Sequence, residues 1–337
     1  MPHKHEGILR DDVSLLFFQL DLYLATHHPN LYRSCYYNLF YGVIHTMLNE
    51  HSIRSWNKKS IYKMNELAQY MPDFIMLVVA GTLAGFIAGL FGVGGGTITV
   101  PVLFYWFTHM GISQDVAMHV SIATSLATII ATSMSSSHAH EKRGSVDHDI
   151  LKIWGPFIGG GAILGAMVAA QMSGMSLRLV FGSFLILIAL YMLIGKHGKV
   201  IRDSLPVANI QRALASFIGV FSSLVGVGGG ALAVPMLASC NVPMQRAVGT
   251  SSAFGVIVAL PGAVGYIISG WGHEGLPPYS LGYVSLMGLA VLLPTTALLA
   301  PVGAKVAHYL NRELLRRLFG AFLLFIAGKM LWGALIP

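Results

Sequence analysis

Two glycine runs hold the backbone chemistry of this chain: Gly92-Val93-Gly94-Gly95-Gly96 and Gly226-Val227-Gly228-Gly229-Gly230. Consecutive glycines form helix poorly, so each run predicts a break or tight turn between apolar segments. At membrane depth a break leaves backbone groups unpaired, which is tolerable only beside protein or a wet cavity. With Thr97 and Ala231 opening the next helices, N–H groups and the positive end of a helix dipole converge on each run. That arrangement suits a small anion. Glycine also lets a ligand approach the main chain, and Pro101 and Pro235 keep the following segments kinked. The plainer alternative is that these glycines only let helices pack closely. A nucleotide loop does not fit, because no Lys-Ser/Thr follows either run.

Hydroxyls are a second set of donors. Ser121, Thr124, Ser125 and Thr128 lie on or near one face of a later segment, and Thr250, Ser251 and Ser252 mark its counterpart. They can donate to an oxyanion, or bond a carbonyl one turn back in their own helix. Both readings stand. Arg246 fits a charge anchor better than a substrate partner, and a proton-coupling role for Asp115 or His119 rests on position alone. His138, His140, Glu141 and His148 crowd one loop without a diagnostic spacing, so a solvated loop is expected, with no metal and no cofactor. Gly249-Thr250-Ser251 contains a bare Gly-x-Ser, but no motif places a histidine beside it. An enzyme is not expected.

The elements that position these groups are membrane helices. The chain has 337 residues, 55% hydrophobic and only 10% charged, with a mean hydropathy of +0.67. Too few charges are present to coat a water-facing surface, whereas lipid tolerates such a composition. Ten apolar segments follow Asp73, at about 74–92, 96–110, 116–138, 150–172, 177–195, 209–226, 230–241, 245–269, 280–305 and 312–335. The second of each five is short for a full crossing.

The two fives match. Val100-Pro101 and Val234-Pro235 close the glycine runs, each proline nine residues after the first glycine. Ala123-Thr124-Ser125 pairs with Gly249-Thr250-Ser251, and Gly165-Ala166 and Phe181-Gly182 pair with Gly303-Ala304 and Phe319-Gly320. Three anchors in register indicate an internal duplication. The formal net charge of +7 lies wholly after residue 73, mostly in short loops, which suggests the positive-inside rule rather than nucleic-acid binding. With Glu141–Arg143 in the cytoplasm and five segments per half, twelve of the fourteen later basic residues fall inside; Arg178 and Lys329 are the exceptions. An odd number of crossings per half means inverted repeats, an architecture of secondary transporters. The expected fold is an all-α polytopic membrane protein of two inverted repeats, each of four to five hydrophobic segments, with broken helices at the glycine runs.

Residues 1–72 form an N-terminal extension, residues 73–196 repeat one, 197–208 a cytoplasmic linker and 209–337 repeat two. The extension is polar; its apolar stretches Val13–Leu24 and Cys35–Leu48 are too short and interrupted to span. It reads as an appended element, a disordered tail, or residues upstream of a true start at Met64, Met71 or Met76. No signal peptide is recognisable in it.

The duplicated Gly-x-Gly-Gly-Gly with its Val-Pro, Arg143-Gly144-Ser145-Val146-Asp147, and the Leu318–Gly320 run resemble the TauE/SafE family of sulfite exporters. The resemblance covers about residues 73–337. It implies a multi-pass bacterial inner-membrane carrier, an exporter of sulfite, sulfonates or related small anions, working by alternating access. The substrate site it implies comprises Gly94, Gly95, Gly96, Thr97, Pro101, Thr124 and Ser125 with Gly228, Gly229, Gly230, Pro235, Thr250 and Ser251. Partners would be the small anion and lipid, with a homo-oligomer left open. Carriage of another organic anion or a metal ion, or an anion channel, is the alternative.

Overall fold

The computed structural model describes residues 50–92, 94–194, 204–306 and 312–335. The chain divides into two compact units, Met1–Met71 and Pro72–Pro337. Of the first, the described part is the helix running from Glu50. The apolar stretches Val13–Leu24 and Cys35–Leu48, the basic residues Lys196, Lys199 and Arg202, and Val93 lie outside the described residues.

The helices among the described residues are α1 (Glu50–Phe91), α2 (Gly96–His109), α3 (Gln114–Glu141), α4 (His148–Ala169) and α5 (Gly174–Ile194), then α6 (Ala208–Val225), α7 (Gly230–Ser239), α8 (Met244–Ser269), α9 (Leu286–Val306) and α10 (Arg312–Leu335). A small antiparallel hairpin, β1 (Ser280–Leu281) and β2 (Val284–Ser285), precedes α9. Among the described residues seven stretches are long and apolar enough to cross a membrane: Met71–Phe91 of α1, and α3, α4, α5, α6, α8 and α9. The chain is a polytopic all-α membrane protein. The short helices α2 and α7 follow the glycine runs, with 14 and 10 residues.

One expected segment needs correction. Residues 280–285 form the hairpin rather than the start of a helix, and α9 begins at Leu286. Tyr279 and Gly282 have positive φ (57° and 54°), a conformation that turns the chain and cannot continue a helix.

Contacts along each helix pair fix its direction. Against α8, Ser136 meets Ser252, Ser133 meets Gly255 and Leu126 meets Gly262, so α3 and α8 run antiparallel. Likewise α5 and α10 are antiparallel, with Gly182 on Leu331 and Met192 on Gly320. By contrast α4 and α6 are parallel: Trp154 Nε1 donates to Gln211 Oε1 at 2.9 Å, and Ser223 Oγ donates to the Ala162 carbonyl at 2.8 Å. So are α1 and α9, with Gly85 on Thr296 and Gly89 on Ala300. α3 is buried along most of its length.

Close approach at these crossings depends on single glycines. A Cβ on Gly161 would run into the Ser216 carbonyl, whereas one on its neighbour Gly160 meets nothing within 4 Å. Gly161→Ala should therefore cost about 1–3 kcal/mol of overpacking, while Gly160→Ala should be neutral or gain up to about 1 kcal/mol from helix propensity. Thermal unfolding of the two variants in detergent checks the contrast; equal melting temperatures would refute the packing account.

Candidate functional site

Both glycine runs are breaks, as their composition requires. Gly92, Gly94 and Gly95 have φ of 69°, 80° and 78°, and Gly226 and Gly229 have 75° and 68°, the left-handed region in which a side chain is strained. Gly95 and Gly229 cap the N-termini of α2 and α7, so the helices open at Gly96 and Gly230, one residue earlier than expected. The breaks touch. A Cβ on Gly94 would lie 2.8 Å from the Gly228 Cα, and one on Gly96 would overlap the Gly226 carbonyl. The close packing therefore falls on the residues at which the sequence led to the expectation of a binding site.

The two copies differ chemically. In the second, the Gly229 N–H donates to the Val227 carbonyl at 2.9 Å and Gly230 N–H to that of Gly228 at 2.6 Å. In the first, where Val93 lies outside the described residues, no described acceptor faces the N–H groups of Gly94, Gly96 or Thr97; the earliest described bonds are those of Ile98 and Thr99 to the Gly95 carbonyl. The Thr97 hydroxyl, fully buried in the first turn of α2, also lacks a partner among the described residues. A buried hydroxyl without a partner is uncommon and calls for an explanation. At the matching position of α7 stands Ala231. Pro101 and Pro235 sit inside α2 and α7, where each withholds an N–H from the carbonyl four residues back, Thr97 or Ala231.

The Thr-Ser pairs bind the halves together. Asp147 caps α4, its Oδ1 accepting from the Asp149 and Ile150 N–H groups, and donates its own N–H to Thr250 Oγ1 at 2.9 Å. Ser285 caps α9, accepting from Gly288 N–H at 3.3 Å, and donates its N–H to Thr124 Oγ1 at 2.9 Å. Each threonine thus receives the cap residue of a helix from the other half. Ser125 Oγ donates to the Gly226 carbonyl at 3.0 Å and lies 2.7 Å from Thr99 Oγ1, tying α3 to the second break. Ser251 donates to Val248 in its own helix at 2.9 Å and packs against Gly92. The spacing of these residues did not reveal their reach across the halves, because the partners are main-chain N–H groups that carry no side-chain signature.

The remaining ionisable residues have local tasks. Arg246 lies 3.8 Å from Asp147 at an exposed end of the bundle, a pair that adds little energy. His148 meets Glu141 at the surface, while His140 turns inward to the Gly89 carbonyl. Among the described residues no three metal-type ligands gather. His119 is buried between the carbonyls of Asp115 and Ala169 and stacks on Tyr283. The Asp115 carboxylate accepts from the Gly174 N–H.

A family model described as sulfite exporter TauE/SafE matches residues 77–330. The chain belongs to this family. Among TauE/SafE-like relatives, a probable membrane transporter protein of Haemophilus influenzae is 31% identical over 263 residues, 77% of this chain and 99% of that protein. The probable membrane transporter protein YunE of Bacillus subtilis is 31% identical over 217 residues, covering 59% of this chain and 80% of the relative. One from Methanocaldococcus jannaschii is 26% identical over 252 residues, covering 74% and 91%. No solved structure matches the chain. The Arg143–Asp147 motif that suggested the family has a visible task here: Gly144 turns at φ 63°, the Ser145 carbonyl packs on Gly249, and Asp147 caps α4.

Substituting glycine at the crossing separates strain from collision. At Gly229 a methyl meets only ordinary contacts, the nearest 3.4 Å away, so Gly229→Ala should cost about 1–2 kcal/mol from its left-handed backbone. Gly96→Ala drives a methyl into main chain that cannot move aside, and the folded yield in detergent should collapse. Fluorescence-detected size exclusion and thermal melts distinguish the two.

Proposed function

We propose that this family member is a secondary transporter that exports small sulfur-containing anions, sulfite or sulfonates, by alternating access across the bacterial inner membrane. The observation that carries the reading is the first break. The main-chain N–H groups of Gly94, Gly96 and Thr97 and the buried Thr97 hydroxyl have no acceptor among the described residues, at the positive end of α2. Donors without acceptors at membrane depth suit an oxyanion, and they need no buried cation whose own desolvation would oppose binding. Gly228, Gly229 and Gly230 close the site from the other half, while Thr124, Ser125, Thr250 and Ser251 hold its walls.

Helix directions support two inverted repeats. Corresponding helices α3 and α8, and α5 and α10, run antiparallel, while α4 lies parallel to α6 and α1 to α9. Oppositely oriented copies produce that pattern, and rocking of one against the other would open the crossing to alternate sides. The Arg143, Asp147 and Arg246 end then faces the cytoplasm. No reaction is assigned, because the site holds donors and no nucleophile–base pair.

Transport of radiolabelled sulfite into vesicles containing the purified protein, with taurine and sulfoacetate as competitors, tests the reading. Thr97→Val keeps the shape and removes the unpartnered hydroxyl. Sulfite flux should fall at least about tenfold, while the melting temperature should hold or rise, since an unsatisfied buried group is gone. Full flux in Thr97→Val would remove Thr97 from the site, and no flux of any sulfur anion in the wild type would remove the substrate assignment.

A further inference from the structure

The two basic residues that break the positive-inside pattern, Arg178 and Lys329, meet at one place. Arg178 stands in the first turns of α5 and is only 4% exposed. Its Nη1 donates to Gln114 Oε1 at 2.7 Å, its guanidinium stacks over Phe104 at 4.8 Å, and Gly333 of α10 packs against Nη2. Its Nε has no partner among the described residues. One turn before Gly333 on the same face of α10, exposed Lys329 places Nζ 4.9 Å from the Tyr105 ring. The Tyr105 phenol lies beside the guanidinium and interacts with it, through charge and a side-chain contact looser than a hydrogen bond of good geometry.

Two cations and a phenol thus share one wall, built from α2, α5 and α10. Among the described residues no carboxylate lies within ion-pair distance of either cation. Asp115, next to Gln114, is held by the Gly174 N–H. Stacking on Phe104 satisfies a face of the guanidinium and Gln114 takes an Nη1 proton, which leaves Nε unanswered among the described residues. A buried guanidinium is normally paired, so an acceptor-rich anionic partner is what the wall lacks. Its place in the fold is the end of α3 opposite Asp147 and Arg246, since Gln114 opens that helix and Glu141 closes it.

We propose that Arg178, Lys329 and Tyr105 form a second anion site, distinct from the glycine crossing, that takes a compact oxyanion group on the side of the bundle opposite Arg246. The group is that of a free oxyanion or a lipid phosphate, because Lys329 faces outward while Arg178 faces in. Placed at the mouth, such a site would gather anions before or after passage; the binding itself does not depend on transport.

The test is binding to the purified full chain in neutral detergent: calorimetric titration with sodium sulfite and with inorganic phosphate at constant ionic strength, and native mass spectrometry after exposure to phosphatidylglycerol. Saturable binding of either free anion, weakened about tenfold in Lys329→Gln and kept in Lys329→Arg, supports a free-anion occupant. Phosphatidylglycerol retained by the wild type and lost from Lys329→Gln supports a headgroup occupant. Gly333→Ala, which displaces the guanidinium without removing charge, should weaken the same signal. The loss caused by Lys329→Gln should be the same size in the wild type and in a Thr97→Val background, so that failure here and failure at the glycine crossing are told apart. Binding of all three ligands that is absent, or unaltered in both Lys329→Gln and Gly333→Ala, overturns the proposal. Lys329 is exposed, so its variants keep the fold needed for the comparison.

Discussion

Everything near the middle of this bundle depends on main chain touching main chain. Where Gly94 approaches Gly228 and Gly96 approaches the Gly226 carbonyl, there is no space for a single Cβ. Breaking two helices at such a place exposes backbone donors and acceptors that lipid cannot answer. The flanking helices answer part of that need. Ser125 of α3 gives its proton to the Gly226 carbonyl, and Ile122 and Ile129 of the same helix close against Gly226 and Gly94. Among the described residues they leave the N–H groups of Gly94, Gly96 and Thr97 unanswered, which is where the proposed function places the anion.

The same junction is braced from both ends. Asp147 and Ser285 are different residues in different settings, one in a helix-to-helix loop and the other in a hairpin, yet each caps a helix and gives its own N–H to a threonine of the opposite half. The recurrence explains why threonine precedes serine in both copies. Its hydroxyl is an acceptor for a cap from outside, and the following serine faces the opposite glycine break. Conformational change at the crossing must therefore move a threonine, its cap residue and the helix that follows as a unit, or break a buried hydrogen bond.

Much of this was legible in the residues themselves. Glycine and proline act locally, so the breaks, the short helices after them and the repeat register could be read directly from spacing. Apolar length located most spans to within a few residues. The hairpin at 280–285 escaped because Ser280–Ser285 carries no charge and runs straight into an apolar helix, and the backbone at Tyr279 and Gly282 reveals the turn. The tasks of Thr124 and Thr250 escaped because their partners are peptide N–H groups distant in sequence. Arg178 and Lys329 were visible as exceptions to a charge rule, but their meeting around Tyr105 depends on how α2, α5 and α10 pack.

Duplication left the two breaks alike in shape and unlike in equipment. Thr97 and Thr99 of the first face Ala231 and Ala233 at the matching positions of the second, and two of the second run's N–H groups are already bonded within it. Among the described residues, the first break thus keeps donors, at Gly94, Gly96 and Thr97, that the second lacks in part. On the transport reading, its stoichiometry at the crossing is one anion per chain, and saturation there follows a simple hyperbola without cooperativity, although the architecture repeats.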